Sequence, residues 1–450
     1  MSKIKKIIFT FIIGGLFLIF SGEFSSPTLE FGLYNGGEPL IFDGERAYAP
    51  GQVVVKFAGE NPKTAGLNSK GTGHTAADRV LRHKYRSEIK AVNKDRYSDY
   101  YIVETHKNCA LEAFREKLRR DPSIAAAELN YYAHIAATPD DPYFAYQYAL
   151  DNQGQVYVPN IGLRGRGDSD IDAPEGWDWT TGSGDVIIAI IDTGAAPHED
   201  LVNKLVPGYN FIADNTNTAD DNGHGTFVAS IAAAETGNGT GMAGVDWNAK
   251  IMPLKCVASD GLASYTVLAA GIRYAADSGA KVINLSLGGA YPSFVLEDAC
   301  SYAFGKGCVI VAAAGNQGGQ VLYPAAYDDY VLAIAATDSY DNRLGWSNYG
   351  PQVDVAAPGQ YVFGAIYFPD EPDVFNAYGW GSGTSFSTPY AAGAAALLMG
   401  YKPSLANDVV MKIIKYTADD VNRDVYPGVD DFIGYGRINI GRLLGAYELN

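Results

Sequence analysis

The stretch Val186-Ile-Ile-Ala-Ile-Ile-Asp192-Thr-Gly194 decides the fold. Six consecutive apolar residues run into an aspartate and end on a glycine. An apolar run without polar alternation is the pattern of a strand buried on both faces, as parallel sheets require. Further apolar strands are expected at 249–257, 281–287, 308–314 and 331–336, with helical stretches between them. Such alternation predicts an α/β fold in three layers, with a central parallel sheet covered on both faces. The aspartate sits where the strand ends, which is where sites form in such sheets.

Outward from this core, towards the N-terminus, the pattern changes. Gly51-Gln-Val-Val-Val-Lys-Phe57 reads as a strand, followed by a Gly-rich stretch at 59–73 and a helical segment near 75–85. Strands are expected at 87–93, at 100–106 and from Ile124 to Tyr132. Between the last two, Ala110 to Arg120 is amphipathic, with Leu111, Phe114 and Leu118 on one face. The order β-α-β-β-α-β predicts a small α+β, ferredoxin-like module over 48–136. Residues 23–47 read as a linker. Lys3, Lys5 and Lys6 precede the apolar run Ile7 to Phe20, only 14 residues long. That is an export signal over 1–22, too short for a comfortable membrane span.

Composition narrows the function. The chain has 450 residues, 47% hydrophobic and 19% charged, which excludes wholesale disorder. A net charge of −17 speaks against nucleic acid as a partner. The charge is uneven. Residues 1–136 hold 19 Lys+Arg and 15 Asp+Glu, while the remainder holds 15 and 36, so a basic front precedes a strongly acidic body. Four cysteines are too few for a disulfide scaffold. Cys300 and Cys308 could pair, but their positions on a helix and the next strand favour buried free thiols. His74, His83, His106 and His134 all fall in the front part and are expected to face solvent. Their protonation is a candidate trigger for releasing the front module at mildly acidic pH.

Three segments carry chemistry. Asp192-Thr-Gly194 ends the buried strand. Gly223-His224-Gly225-Thr226 opens a helix between glycines. Gly383-Thr-Ser385-Phe-Ser-Thr-Pro389 opens the helix of small residues at 390–399. A buried Asp, a His and an exposed Ser are the parts of nucleophilic acyl transfer. Ser385 would attack, His224 would take and return the proton, and Asp192 would hold the imidazole. Asn316, in Ala312-Ala-Ala-Gly-Asn316 past a buried strand, is the candidate oxyanion donor, with the Ser385 N–H as the second. A lipase elbow is excluded, because it would need glycine where Ser387 stands.

In these motifs and their order, Asp, His, then Ser, the chain resembles the subtilases, subtilisin-like serine proteases, over about residues 137–445. The resemblance implies a secreted serine endopeptidase that hydrolyses peptide bonds through an acyl-enzyme, over a peptidase domain at 137–450. It implies that 48–136 is an inhibitory propeptide and that the chain is a zymogen that processes itself near Ala136–Ala137. A monomer is expected, with no membrane contact once the signal is removed. The rival is a catalytically idle protein that uses the peptide groove as a receptor.

The resemblance also maps the substrate edges to Gly261-Leu262-Ala263 and Ser286-Leu287-Gly288. The primary pocket then lies around Ala313, Gly315, Gln317, Leu322 and Tyr323, where no acidic residue appears. Uncharged or apolar side chains are therefore expected before the cut. The segment Thr138-Pro-Asp-Asp141-Pro-Tyr-Phe144 is similar to the mature start of thermitase-like subtilases. This implies a structural calcium held by Asp141, Asp200 and the loop Thr236-Gly-Asn238-Gly-Thr240-Gly-Met242, through Asn238 and backbone oxygens. A second site near Asp214, Asp220 or Asp221 is a weaker expectation. No catalytic metal is expected.

Overall fold

A computed structural model describes residues 34–35, 38–39, 48–58, 81, 83–94, 100–106, 109–131, 138–369 and 376–446. The signal at 1–22, the Gly-rich stretch at 59–73 and the tail at 132–136 lie outside the described residues. Within the linker, Tyr34–Asn35 and Glu38–Pro39 pair as a small two-stranded sheet. Two compact units are present, one within residues 35–135 and one within 136–447.

In the front unit four strands form one antiparallel sheet. Their spatial order is Ile89–Lys94, Tyr100–Thr105, Tyr48–Phe57, Ile124–Tyr131. The first and last strands of the chain order are thus neighbours, the arrangement of a split β-α-β sandwich. Alternation along Val53 and Val55, and along Tyr101 and Val103, sends one face into a core. The helix Leu111–Arg119 closes that core with Phe114 and Leu118. Leu81, His83 and Lys84 are the described part of the helix expected at 75–85. His83 and His106 are exposed, as the sequence suggested.

The second unit is built on a seven-stranded parallel sheet. Its order is Tyr209–Asn210, Lys250–Lys255, Ile187–Asp192, Val282–Leu285, Val309–Ala313, Val331–Thr337, Val353–Pro358. The stretch 186–192 is therefore the strand from which the chain winds first one way and then the other. Its side chains split between the faces. Ile188 and Ile190 pack beneath the helices His224–Ala233, Thr384–Tyr401 and Asn407–Tyr416. Ala189 and Ile191 pack with the helices Tyr265–Asp277 and Phe294–Gly305. Each fully buried Ile or Leu contributes roughly 1.5–3 kcal/mol relative to exposure, so the sheet is the stable platform of the unit. These are the three layers expected, and the two edge strands, Tyr209–Asn210 and Val353–Pro358, add to the five strands expected.

Cys256, Cys300 and Cys308 are buried free thiols, so the disulfide alternative is not realised. Burial pushes the Cys300 and Cys308 thiols up to about 12 and about 11. Among the described residues no helix is long and apolar enough to cross a membrane.

Candidate active site

The chain reverses its winding direction at Ile187–Asp192, and in such sheets sites form outside the carboxyl ends of the strands at that point. Asp192 is the last residue of this strand and is 1% exposed. His224 is the first residue of its helix. Gly223 before it has φ +101°, and a Cβ there would lie 2.5 Å from the Tyr367 carbonyl oxygen. Gly225 after it packs on Gly194, where a Cβ would come within 2.1 Å of the Gly194 oxygen. These glycines let the helix start press against the Asp192 loop. His224 Nδ1 lies 2.9 Å from Asp192 Oδ1 and 3.0 Å from Oδ2. Burial disfavours the imidazolium, but the charge of Asp192 and its hydrogen bond outweigh burial. Asp220 adds to this, so the His224 pKa is raised above its usual value.

Asp220 joins the two loops. It is 3% exposed and accepts from the Thr193 hydroxyl, from the Asn222, Gly223 and Thr226 amides, and from the Thr226 hydroxyl. Thr193 Oγ1 in turn accepts from the Gly225 amide. Lys255, also buried, adds a second tie, with Nζ donating to the Thr193 carbonyl at 2.7 Å and to Asp221 at 2.6 Å. Sequence reading gave Asp220 and Asp221 a possible cation role, and the structure assigns them elsewhere. Asp214 accepts from the Tyr209 hydroxyl. Among the described residues these three carboxylates form no metal-ligating group.

Ser385 is the second residue of the helix Thr384–Tyr401 and is half-buried. The ring of the next residue, Phe386, stands 5.5 Å from the His224 ring, which brings the helix start against the His224 loop. Asn316 is exposed, and its amide is oriented. Oδ1 accepts from the Thr384 amide at 2.8 Å and the Thr384 hydroxyl at 2.9 Å. Nδ2 is left facing the other way. A Cβ on Gly383 would lie 3.5 Å from Asn316 Nδ2 and 3.7 Å from the Ser385 nitrogen. Two N–H donors therefore flank one spot beside the serine, and glycine keeps it clear. Thr384 was missed in the sequence reading although it lies inside the quoted motif.

The expected pocket residues do come together. Leu322 packs against both Gly288 and Gly315, where added Cβ atoms would come within 2.7 Å and 2.8 Å of it. Ala313 and Gly315 are buried, whereas Gln317 is exposed. Gly289 and Tyr323 exchange backbone hydrogen bonds of 2.8 and 2.9 Å, which fixes the 286–288 segment on one side. Leu262 is 71% exposed and its carbonyl accepts from the Ala258 amide, closing a turn that holds Gly261, while Ala263 packs on the core. The Ser286 side chain is buried and turned inward, bonded to the Ser385 carbonyl, which leaves its backbone for the expected substrate edge.

The residues expected around a cation lie against one loop. Asp141 Oδ2 accepts from the Gly237 amide, and Asp200 Oδ2 accepts from the Met242 amide and the Tyr378 hydroxyl. The loop 236–242 thus wraps both carboxylates, with Gly237, Gly239 and Gly241 all at positive φ. The second oxygens, Asp141 Oδ1 and Asp200 Oδ1, are buried without a hydrogen-bond partner. Burial raises the Asp141 pKa and lifts Asp200 to about 7. Two orphaned acidic oxygens in an oxygen-rich loop fit a hard cation. Asn238 Oδ1 accepts from the Thr240 amide, and Thr236 Oγ1 accepts from the Gly244 amide, so both hold the loop's shape. Among the described residues no group of three or more His, Cys, Asp or Glu side chains is placed to hold a metal. A cation here would therefore need backbone oxygens, as the sequence reading implied for Thr236, Thr240 and Met242.

Comparison with known proteins agrees with this geometry. A family profile described as the subtilase family matches residues 183–436. The chain is 37% identical to the thermophilic serine proteinase of Bacillus sp. (strain AK1), over 87% of each chain. It is 40% identical to thermitase of Thermoactinomyces vulgaris, over 67% of this chain and 97% of that protein. Among solved structures, a protease from Pseudoalteromonas arctica matches with a TM-score of 0.60 and 29% identity. That match covers 69% of this chain and 99% of that one. Profile, relatives and the parallel-sheet architecture agree, and the chain belongs to the subtilase family.

Proposed function

We propose that the chain is a secreted serine endopeptidase, made as a zymogen, in which Asp192, His224 and Ser385 act as a catalytic triad. The observation that carries this is the Asp192–His224 pairing at 2.9 Å beside a helix that presents Ser385. With Nδ1–H committed to Asp192, His224 keeps Nε2 free to accept the Ser385 hydroxyl proton. The serine oxygen then adds to the scissile carbonyl. The oxyanion forms between Asn316 Nδ2 and the Ser385 N–H, donors already in place before reaction. His224 returns the proton to the leaving amine, and water releases the acyl group by the reverse roles.

Substrate backbone would lie extended between 261–263 and 286–288, as an added strand. The small, apolar surroundings of Ala313 and Gly315 favour uncharged side chains before the cut. Calcium, held by Asp141, Asp200, Asn238 and the carbonyls of 236–242, would neutralise the paired carboxylates and brace the start of the second unit. The front module would serve as propeptide and inhibitor. In support, the likeness to the Bacillus AK1 proteinase covers 87% of the chain, more than residues 138–450 alone can supply. The Lys-led apolar run at 1–22 supports export. A fluorophosphonate probe tests the reading, because it reacts only with an activated serine. Labelling should occur at Ser385 and vanish in His224→Ala. No labelling of the mature enzyme would leave the idle-receptor reading.

A further inference from the structure

Pro389 lies within the first turns of the helix Thr384–Tyr401. In an α-helix the carbonyl of one residue accepts from the N–H four residues on. For Ser385 that residue is Pro389, which has no N–H. The Ser385 carbonyl is thus deprived of its helical donor, and a different element supplies one. Ser286 Oγ lies 2.7 Å from the Ser385 carbonyl oxygen. A carbonyl can only accept, so the Ser286 proton must point at it. The lone pairs of Ser286 Oγ then face Asn284 Nδ2, 2.9 Å away. This direction also fixes the Asn284 amide, since its oxygen in that place would meet a hydroxyl with no proton left to give. Ser286 is 2% exposed and Asn284 0%, so water does not compete for these bonds.

We propose that Ser286 is a positioning residue for catalysis: its hydroxyl replaces the N–H that Pro389 withholds and so fixes the peptide plane leaving Ser385. The inference rests on the reading of Ser385 as nucleophile. Holding that carbonyl fixes ψ of Ser385, and with it the direction in which the serine side chain leaves the helix. Ser286 also begins the 286–288 edge. One hydroxyl therefore ties the attacking residue to the segment that would hold the substrate backbone. Proline at 389 hands control of the nucleophile from its own helix to the end of the Val282–Leu285 strand.

The test compares wild type, Ser286→Ala, Ser286→Thr, Pro389→Ala and the Ser286→Ala/Pro389→Ala double variant. The readouts are kcat and KM on a peptide amide and the rate of fluorophosphonate labelling. Ser286→Ala should lower kcat and the labelling rate about tenfold or more, with KM nearly unchanged, while Ser286→Thr keeps most activity. With Ala at 389 the helical N–H returns, so removing the Ser286 hydroxyl there should cost less than about threefold. Equal losses in both backgrounds, or wild-type labelling of Ser286→Ala, would overturn the proposal. If Ser286→Ala does not fold, adding Pro389→Ala should restore folding, and a double variant that stays unfolded overturns it equally. If wild type itself is not labelled at Ser385, the proposed function has failed rather than this link.

Discussion

Asp192 presents both carboxylate oxygens to His224 Nδ1, at 2.9 and 3.0 Å, while Oδ1 also accepts from the Thr193 amide at 2.7 Å. The carboxylate is thus held by its own loop before the imidazole arrives, and the raised pKa of His224 follows from that fixed charge.

The pH profile is the first consequence. The base must be neutral, and an ordinary imidazole titrates near about 6.5. Since the His224 pKa is raised, the acidic limb of kcat/KM should lie above about pH 6.5, and Asp192→Asn should move it down. Stability runs the other way. A group with a raised folded pKa stabilises fully below its unfolded pKa and loses that contribution as pH rises through the folded value. The Tm difference between wild type and His224→Ala should therefore shrink from pH 5 to pH 9. A limb below pH 6, or a difference that grows with pH, contradicts this reading.

Removing the oxyanion donor should slow chemistry without unfolding the enzyme. Asn316→Ala should cost about 2.7–4 kcal/mol in the barrier, the cost known for the equivalent deletion in subtilisin. Asn316 Oδ1 also accepts from the buried Thr384 amide and hydroxyl, so Tm should fall as well while the fold is kept. Unchanged kcat in Asn316→Ala would remove it from the site. Single replacements of Asp192, His224 and Ser385 should not add when combined, because they act as one unit.

Asp220 should matter for both stability and rate. Asp220→Ala strands three buried donors, the Thr193 hydroxyl and the Thr226 amide and hydroxyl, and each unmet one costs about 1–3 kcal/mol, so unfolding free energy should fall by more than about 3 kcal/mol. Denaturant unfolding in a Ser385→Ala background, where self-digestion is absent, measures it. A loss under 1 kcal/mol would mean that the loops are held by other contacts.

Calcium should act on stability rather than on the triad. A ligand that binds only the folded state adds about 2.7 kcal/mol at a hundred times its Kd. Chelator should lower the Tm of wild type, and Asp141→Asn with Asp200→Asn should abolish that sensitivity. A Tm indifferent to calcium in wild type would exclude the cage.

Maturation should depend on Ser385. Ser385→Ala should accumulate near full length, minus its signal, and wild type should be cut near Ala136–Ala137. Residues 48–136 made separately should inhibit the mature enzyme, most strongly at low salt, given a basic front and an acidic body. Trimming of Ser385→Ala to the same start in a protease-free host would contradict self-processing.

The fold and the approach of Asp192 to His224 were legible because their signals are local. An unbroken apolar run fixes Ile187–Asp192, and glycines flanking His224 and preceding Ser385 mark places where backbones must touch. What could not be read is the cross-chain hydrogen bonding. Nothing in the spacing around Ser286, expected at a substrate edge, shows that its hydroxyl serves a carbonyl 99 residues away. Asp221 looked like a metal ligand, yet Lys255 takes it from a neighbouring strand. No sequence spacing encodes such partners, because the sheet order brings them together. That Asp141 and Asp200 both meet the loop 236–242 was expected only through the named resemblance, since the two carboxylates are far apart in the chain.

The sheet order has one more consequence. Ile188 pairs with both Ile251 and Val282, so the middle of the sheet can form only after long stretches of chain have been brought back to it. Closing such loops costs entropy before any contact rewards it, and assembly is slow. The same barrier, met from the folded side, keeps the sheet from opening. For a proteolytic enzyme among its own copies this is decisive, because a molecule that opens is digested before it can close. Its persistence in solution is then counted as a half-life, set by how seldom the sheet comes apart, and an equilibrium unfolding energy is the wrong yardstick for it.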